Sequence, residues 1–257
     1  REAAYRAPRN EREELLCQLF ADVLGVSTVG IDDGFFELGG DSIASIQLSS
    51  RARRAGLKFT LREVFDHRTV AELATIARST SDTKVVTDDG VGEVPLTPAM
   101  HWLKAQGGNV TRFTQRMTVP IPPNADTTAA LQVLLDHHDA LRMKLSPQWE
   151  LSVQAVGAVR AEDCLNQDLD PFAGRMVEAR HNGNELTLTI HHLAVDAVSW
   201  RILLPDLAAA FAGTKLEPVG TSFRRWAQQL VTLAGERTHE LDHWREVLDT
   251  NDPLMGS

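Results

Sequence analysis

Apolar residues recur at helical spacing through the N-terminal part of the chain. Leu15, Leu16, Leu19, Phe20, Val23 and Leu24 form one stripe, which predicts a helix opening near Asn10 and stopping at Gly25. Glu13 and Glu14 lie in its early turns, where carboxylates suit the helix dipole. A loop from Ser27 to Gly34 leads into Phe35-Phe36-Glu37-Leu38-Gly39-Gly40-Asp41-Ser42-Ile43. The glycine pair lets the backbone turn sharply, Asp41 and Ser42 are both favourable N-caps, and Ile43 and Ile46 begin the next apolar pattern. A second helix is therefore predicted as far as about Ala55-Gly56. Thr60 caps a predicted short helix through Phe65, and Thr69 caps a fourth that carries Val70, Leu73, Ile76 and Ala77. Together these make a small all-α bundle.

Between Ser79 and Gly92 the chain turns to Ser, Thr, Asp and Gly without periodicity, the composition of an interdomain linker. Beyond Pro95 the pattern is mixed. Residues 112–119 alternate and predict a strand, stopped by Pro120, Pro122 and Pro123. Asp126 or Thr127 caps a predicted helix through Leu135, and residues 142–145 and 150–156 read as short strands. Residues 176–180 and 185–190, joined around Asn182-Gly183, predict a hairpin. Helices are predicted at 198–211, 222–234 and 239–248, with Pro205 expected to kink or break the first.

Composition acts mainly by exclusion. The 257 residues leave room for one large domain or two smaller ones with real cores. At 43% hydrophobic and 24% charged the chain is ordinary globular material. A net charge of −9 argues against a nucleic-acid partner, which needs a basic surface. No apolar run approaches a membrane span, and Arg1-Glu2-Ala3-Ala4-Tyr5 has no apolar signal region, so a cytoplasmic protein is expected. Cys17 and Cys164 form neither a disulfide framework nor a metal spacing. Cys17 falls on the apolar helix face and reads as a packed residue.

Two stretches carry candidate chemistry. Ser42 is expected at an exposed helix start on a rigid turn, although Gly39-Gly40-Asp41-Ser42 taken alone is equally an ordinary capped turn. The other stretch is His191-His192-Leu193-Ala194-Val195-Asp196-Ala197-Val198-Ser199-Trp200, which closes a strand and opens a helix. Adjacent strand side chains point to opposite faces, so His191 and His192 are poorly placed to clasp one ion. The other adjacent pair, His137-His138, has no cysteine or carboxylate at ligand spacing, and no metal is expected. A histidine at a strand-to-helix corner is either structural or projects into a cleft, where it suits proton transfer near neutrality.

Together these residues resemble a known family. Residues 8–79, centred on the Gly-Gly-Asp-Ser turn and followed by Leu61-Arg62-Glu63-Val64-Phe65, resemble the peptidyl carrier (thiolation) domain of nonribosomal peptide synthetases. His-His-x-x-x-Asp-x-x-Ser-Trp resembles the signature of the condensation superfamily. Its continuation, Ser199-Trp200-Arg201-Ile202-Leu203-Leu204, is most similar to the epimerization branch. Leu96-Thr97-Pro98-Ala99-Met100-His101-Trp102-Leu103, His137-His138-Asp139-Ala140-Leu141-Arg142 and Leu241-Asp242-His243-Trp244-Arg245 resemble further motifs of that branch. A carrier motif with Asp rather than His before the serine is the form that precedes such domains. The implied fold is multidomain: a tether at 1–7, an all-α four-helix carrier at 8–79 and a linker at 80–94. Residues 95–257 would be an α/β (α+β) chloramphenicol-acetyltransferase-like lobe, the N-terminal lobe of an epimerization domain whose C-terminal lobe is expected to be absent.

The resemblance implies that Ser42, within the motif of Gly39, Gly40 and Asp41, bears a covalent 4′-phosphopantetheine arm. It implies that His192 is the acid/base, and that Asp196 forms a buried ion pair with Arg142 to fix the loop. His191, Ser199 and Trp200 would shape the corner. The implied activity is L-to-D inversion at the Cα of an aminoacyl or peptidyl thioester, an isomerase step in antibiotic-type secondary metabolism. Implied partners are a phosphopantetheinyl transferase, an upstream adenylation domain, the second epimerization lobe with its own acid/base glutamate, and a downstream condensation domain. Ala197 stands where the family usually has Gly, and the segment between Gln154 and Leu186 is short for it. Two other readings remain open: half of a condensation domain, which forms an amide between two carrier-bound groups, and a carrier with a catalytically inert docking lobe. Acyl transfer to a small acceptor shares the histidine motif but does not explain a fused carrier.

Overall fold

The computed structural model describes residues 5–79 and 88–249. The chain divides into two compact units at the boundary between residues 85 and 86.

The first unit is built on helices whose ends follow local chemistry. Helix α1, Glu11–Leu24, is capped by the Asn10 side chain and ends at Gly25, whose φ of 68° is left-handed. Helix α2, Ser42–Arg54, starts at the Asp41 cap. Helices α3, Leu61–Asp66, and α4, Val70–Ile76, both open with full capping boxes, Thr60 with Glu63 and Thr69 with Glu72. Leu16, Phe20, Ile31, Phe35, Leu48 and Leu73 are fully buried between them. The expected four-helix bundle is present, with one addition. Strands β1, Leu57–Lys58, and β2, Arg78–Ser79, pair antiparallel and tie the end of the unit back to its middle.

The second unit has two three-stranded antiparallel sheets. In the first, β3 (Gly92–Val94), β5 (Met143–Leu145) and β6 (Leu151–Val153) lie in the order β3-β6-β5. Residues 92–94, assigned to the linker from composition, are thus an edge strand, and Asp88 accepts a hydrogen bond from the Ser222 hydroxyl at 2.6 Å. The rest of the expected linker, 80–87, lies outside the described residues. In the second sheet, β4 (Thr114–Pro120), β7 (Val177–Asn182) and β8 (Glu185–His191) lie in the order β4-β8-β7. Pro120 is tolerated because β4 is an edge strand.

Strand β8 alternates. Leu186, Leu188 and Ile190 are buried in the main core with Leu131, Leu134 and Leu135 of helix α6, Thr127–His137, and with Leu203 and Leu207 of helix α8, Ala197–Phe211. Helix α8 runs through Pro205 unbroken. Burial of Leu203 and Leu207 on either side of the proline holds the helix despite the missing N–H. Helix α5, Pro98–Gln106, has Pro98 at its first position, and α7 spans Ala161–Asn166; periodicity indicated neither. Helices α9, Phe223–Glu236, and α10, Leu241–Asp249, complete the described residues. No described helix is long and apolar enough to cross a membrane.

Candidate functional site

The serine turn of the first unit is held from below. Phe35 is fully buried, edge-on to Phe20 at 4.9 Å and to Phe36 at 5.5 Å between ring centroids. Phe36 stacks on Phe65 at 4.8 Å. Gly39 has a φ of 95°. At Gly40 a Cβ would lie 2.5–2.6 Å from the Phe35 ring and carbonyl, so only glycine lets the chain pass. Asp41 Oδ1 accepts the N–H groups of Ile43 at 3.0 Å and Ala44 at 2.8 Å. Ser42 follows, exposed, as the first residue of α2. The 13-residue helix directs the positive end of its dipole there, where a phosphate is favourably placed.

The histidine corner of the second unit follows from the alternation of β8. By that alternation His191 faces away from Leu186, Leu188 and Ile190, and it is fully buried. Its Nε2–H donates to the Val110 carbonyl at 2.8 Å and its Nδ1 accepts from the Leu193 N–H at 3.1 Å, which makes it a neutral structural ring. Burial is the main influence on it and lowers its pKa, against the raising effect of the Val110 bond.

His192 turns the other way. Its backbone N–H donates to the Phe113 carbonyl at 2.8 Å, and its ring stacks on Phe113 at 4.6 Å between centroids, 16° from parallel. Its Nδ1 lies 2.7 Å from the Val195 carbonyl. A carbonyl only accepts, so Nδ1 carries a proton and donates it there. The ring lines a largely apolar cavity of about 470 Å³ with Met100, Trp102, Leu103, Phe113 and Trp226. A larger cleft of about 1030 Å³, bordered by Val94, Lys144, Trp149 and Arg224, contains no histidine and none of the expected site residues.

The loop after His192 is not fixed by an ion pair. Asp196 is the N-cap of α8: its Oδ1 accepts from the Ser199 N–H at 2.8 Å and from the Ser199 hydroxyl at 2.7 Å, and its own N–H donates to Ser199 Oγ at 3.1 Å. Burial works to raise the Asp196 pKa, but the bonds from Ser199 and from the Val198 N–H outweigh it and hold the carboxyl below its usual range.

Arg142 is 2% exposed, and its guanidinium donates to three carbonyls: Leu135 at 2.6 Å, Asp136 at 2.8 Å and Gln154 at 3.1 Å. The expected Arg142–Asp196 pair is therefore corrected. Arg142 satisfies carbonyls at the end of α6 that the helix cannot bond itself, and Asp196 caps α8. Ala197 is exposed at the first position of α8.

Three residues escaped sequence reasoning. Phe113 had no distinguishing spacing, and Trp102 stood in the 96–103 motif without a role at the site. Gln115 on β4 joins the corner by its amide, with its Nε2 3.1 Å from His192 Nε2 and its Oε1 accepting the Trp200 indole N–H at 2.8 Å. A fourth surprise lies elsewhere. His138 Nε2 is 2.8 Å from Asp206 Oδ2, and His137 completes a trio with ligand atoms within 4.8 Å of one another. The carboxylate absent at sequence spacing is thus supplied by α8. The pair ties the end of α6 to α8, and burial first, then the neighbouring His137, lowers the His138 pKa despite Asp206.

Comparison with known proteins agrees with this division. The phosphopantetheine attachment site family matches residues 14–76, and the condensation domain family matches residues 164–255. The chain belongs to the nonribosomal peptide synthetases: it is a phosphopantetheine-bearing carrier domain followed by a condensation-family domain. It is 34% identical over 98% of its length to a linear gramicidin synthase protein of Brevibacillus parabrevis. It is 30% identical over 96% to tyrocidine synthase 1 of the same organism. The chain spans 4% and 26% of the length of these two relatives. The first alignment runs over 301 positions, more than this chain has residues, so that relative carries insertions. Among solved structures, the epimerization domain from the third module of tyrocidine synthetase B is similar over 65% of this chain and 46% of its own, with 26% identity and a TM-score of 0.55.

Proposed function

We propose that Ser42 holds the phosphopantetheine arm and that the second unit belongs to an epimerization domain in which His192 is an acid/base. The observation that carries the reading is the His192 ring at the wall of a 470 Å³ apolar cavity, held at Nδ1 by the Val195 carbonyl and at Nε2 by the Gln115 amide. The structural likeness to an epimerization domain and the Ser199–Leu204 run support it. Ser42 fits its role because its hydroxyl is exposed on a turn that Phe35 and Gly40 hold rigid.

The arm supplies a thioester, which acidifies the neighbouring Cα–H because the negative charge left on carbon spreads into the carbonyl. His192 Nε2 takes that proton, while the Val195 carbonyl, hydrogen-bonded to Nδ1–H, orients the ring and supports the charge it gains. Phe113, Trp102 and Trp226 give the cavity an apolar wall beside the ring. Redelivery to the opposite face of Cα inverts the centre, and a second acid/base from a further lobe completes the step. Arg142, His191 and Asp196 act on this chemistry only through the positions of the elements they hold.

The match of residues 164–255 to the condensation domain family favours a second reading, amide formation between two carrier-bound groups. One experiment separates them. The chain is loaded at Ser42 with an L-aminoacyl arm and offered an aminoacyl thioester acceptor, and the products are resolved by chiral chromatography and mass spectrometry. Released D-amino acid supports epimerization. A dipeptide that keeps the L centre replaces it with condensation.

A further inference from the structure

The amide of Gln115 lies between two groups that can each bond in only one direction. On one side the Trp200 indole N–H only donates, so the Gln115 atom that meets it at 2.8 Å is the carbonyl oxygen. That places the Gln115 NH₂ toward His192, 3.1 Å from Nε2. On the other side of the imidazole, the Val195 carbonyl only accepts, at 2.7 Å from Nδ1. The chain Trp200–Gln115–His192–Val195 therefore has one consistent polarity, with Nδ1 protonated and Nε2 accepting. A reversed amide would set the indole N–H against NH₂ and the Gln115 oxygen against the bare nitrogen.

The scaffold holds the chain in place. Gln115 pairs with Ile190 across β4 and β8, directly before the histidines, and Trp200 is 7% exposed on α8. Both ring nitrogens are thus addressed from different elements: β4 at Nε2, and the loop into α8 at Nδ1.

We propose that Gln115 is a positioning residue that reads the direction of the Trp200 N–H and imposes it on His192, keeping Nε2 proton-free until substrate arrives. The tautomer follows from the hydrogen bonds alone; its catalytic meaning rests on the proposed role of His192. In the resting site the Gln115 NH₂ occupies the lone pair that acts as base. A Cα–H entering the cavity meets a nitrogen already aimed and already deprotonated, and the amide has only to yield.

The test uses the whole chain labelled with ¹⁵N-histidine, with the His192 signals identified by their loss in His192→Ala. At neutral pH the wild-type ring is expected to show a protonated Nδ1 and a bare Nε2. Gln115→Glu keeps an acceptor for Trp200 but presents an oxygen to His192, so Nε2 is expected to gain a proton while Nδ1 keeps its own. In the same variant, Cα exchange in the loaded chain is expected to fall on the order of 100-fold, with Ser42 loading unchanged. Gln115→Leu provides a second check: the Nε2 resonance moves to that of an imidazole nitrogen without a donor. Wild-type signals in both variants would overturn the proposal. If wild-type exchange is absent but the signals move as stated, the proposal for Gln115 stands and the epimerization reading falls.

Discussion

Arg142 and Asp196 are expected to act independently, and a double-mutant cycle tests this directly. Arg142→Met removes three hydrogen bonds from a charged donor and leaves the carbonyls of Leu135, Asp136 and Gln154 without it. At about 1–3 kcal/mol for each buried carbonyl left unsatisfied, the loss sums to roughly 3–5 kcal/mol after partial relaxation. Asp196→Ala removes one helix cap, worth about 1 kcal/mol. The two share no hydrogen-bond partner, so the double variant is expected to lose the sum, with a coupling below about 0.5 kcal/mol. A buried ion pair would behave differently, since removing either partner strands the other and the coupling would reach several kcal/mol. All five tryptophans lie beyond residue 100, so their fluorescence during urea unfolding reports the second unit alone. With a slope of about 2 kcal/mol per molar urea, Arg142→Met moves the midpoint by about 2 M. If that variant does not fold, Arg142→Lys replaces it in the cycle. A coupling above about 2 kcal/mol would refute the assignment of separate roles.

Gly40→Ala is expected to destabilise the first unit by about 1–3 kcal/mol through the clash with Phe35. That corresponds to about 4–8 °C for each kcal/mol in a unit of this size, read by circular dichroism while tryptophan fluorescence stays unchanged. Gly25→Ala, with a φ of 68° and nothing within 4 Å of its Cβ, should lose about 1–2 kcal/mol through backbone strain instead, and a Gly40→Ala variant as stable as wild type would contradict the packing argument. Burial pushes the Cys17 thiol up to about 11 and the Cys164 thiol to about 12, so neither should react with a disulfide reagent at pH 8 until urea unfolds the chain. Rapid labelling of the native protein would show these sites to be open. Because the folded Asp196 carboxyl titrates below its usual range, its stabilisation is complete above about pH 4 and is lost as pH falls through the folded value. Asp196→Asn should therefore flatten the acid side of the second unit's stability curve, and an unchanged acid limb would count against the cap.

What the sequence made legible was local. Asp41, Thr60, Thr69 and Asp126 all cap helices where their side chains suggested, because capping needs only a donor two or three residues away. The hairpin around Gly183 and the opposite facing of His191 and His192 follow from strand alternation. The rest depended on partners far along the chain. Gln115 is 77 residues from His192 and 85 from Trp200, and Asp206 is 68 from His138. No spacing rule connects them. Strands β1 and β2 are too short to show alternation, and the composition of residues 92–94 concealed an edge strand. The Arg142–Asp196 pair was carried over from the family resemblance, and the geometry here gives both residues nearer partners.

The central claim is that His192 removes a Cα proton from a group carried on Ser42. The chain is loaded at Ser42 with an L-aminoacyl-pantetheine group by a phosphopantetheinyl transferase and incubated in D₂O, and the released arm is weighed by mass spectrometry. One deuterium at Cα, appearing on the order of 100-fold faster than in His192→Ala with equal loading, is the predicted result. Equal exchange in the two proteins would contradict the role of His192, and failure of Ser42 to load would contradict its assignment as the attachment point.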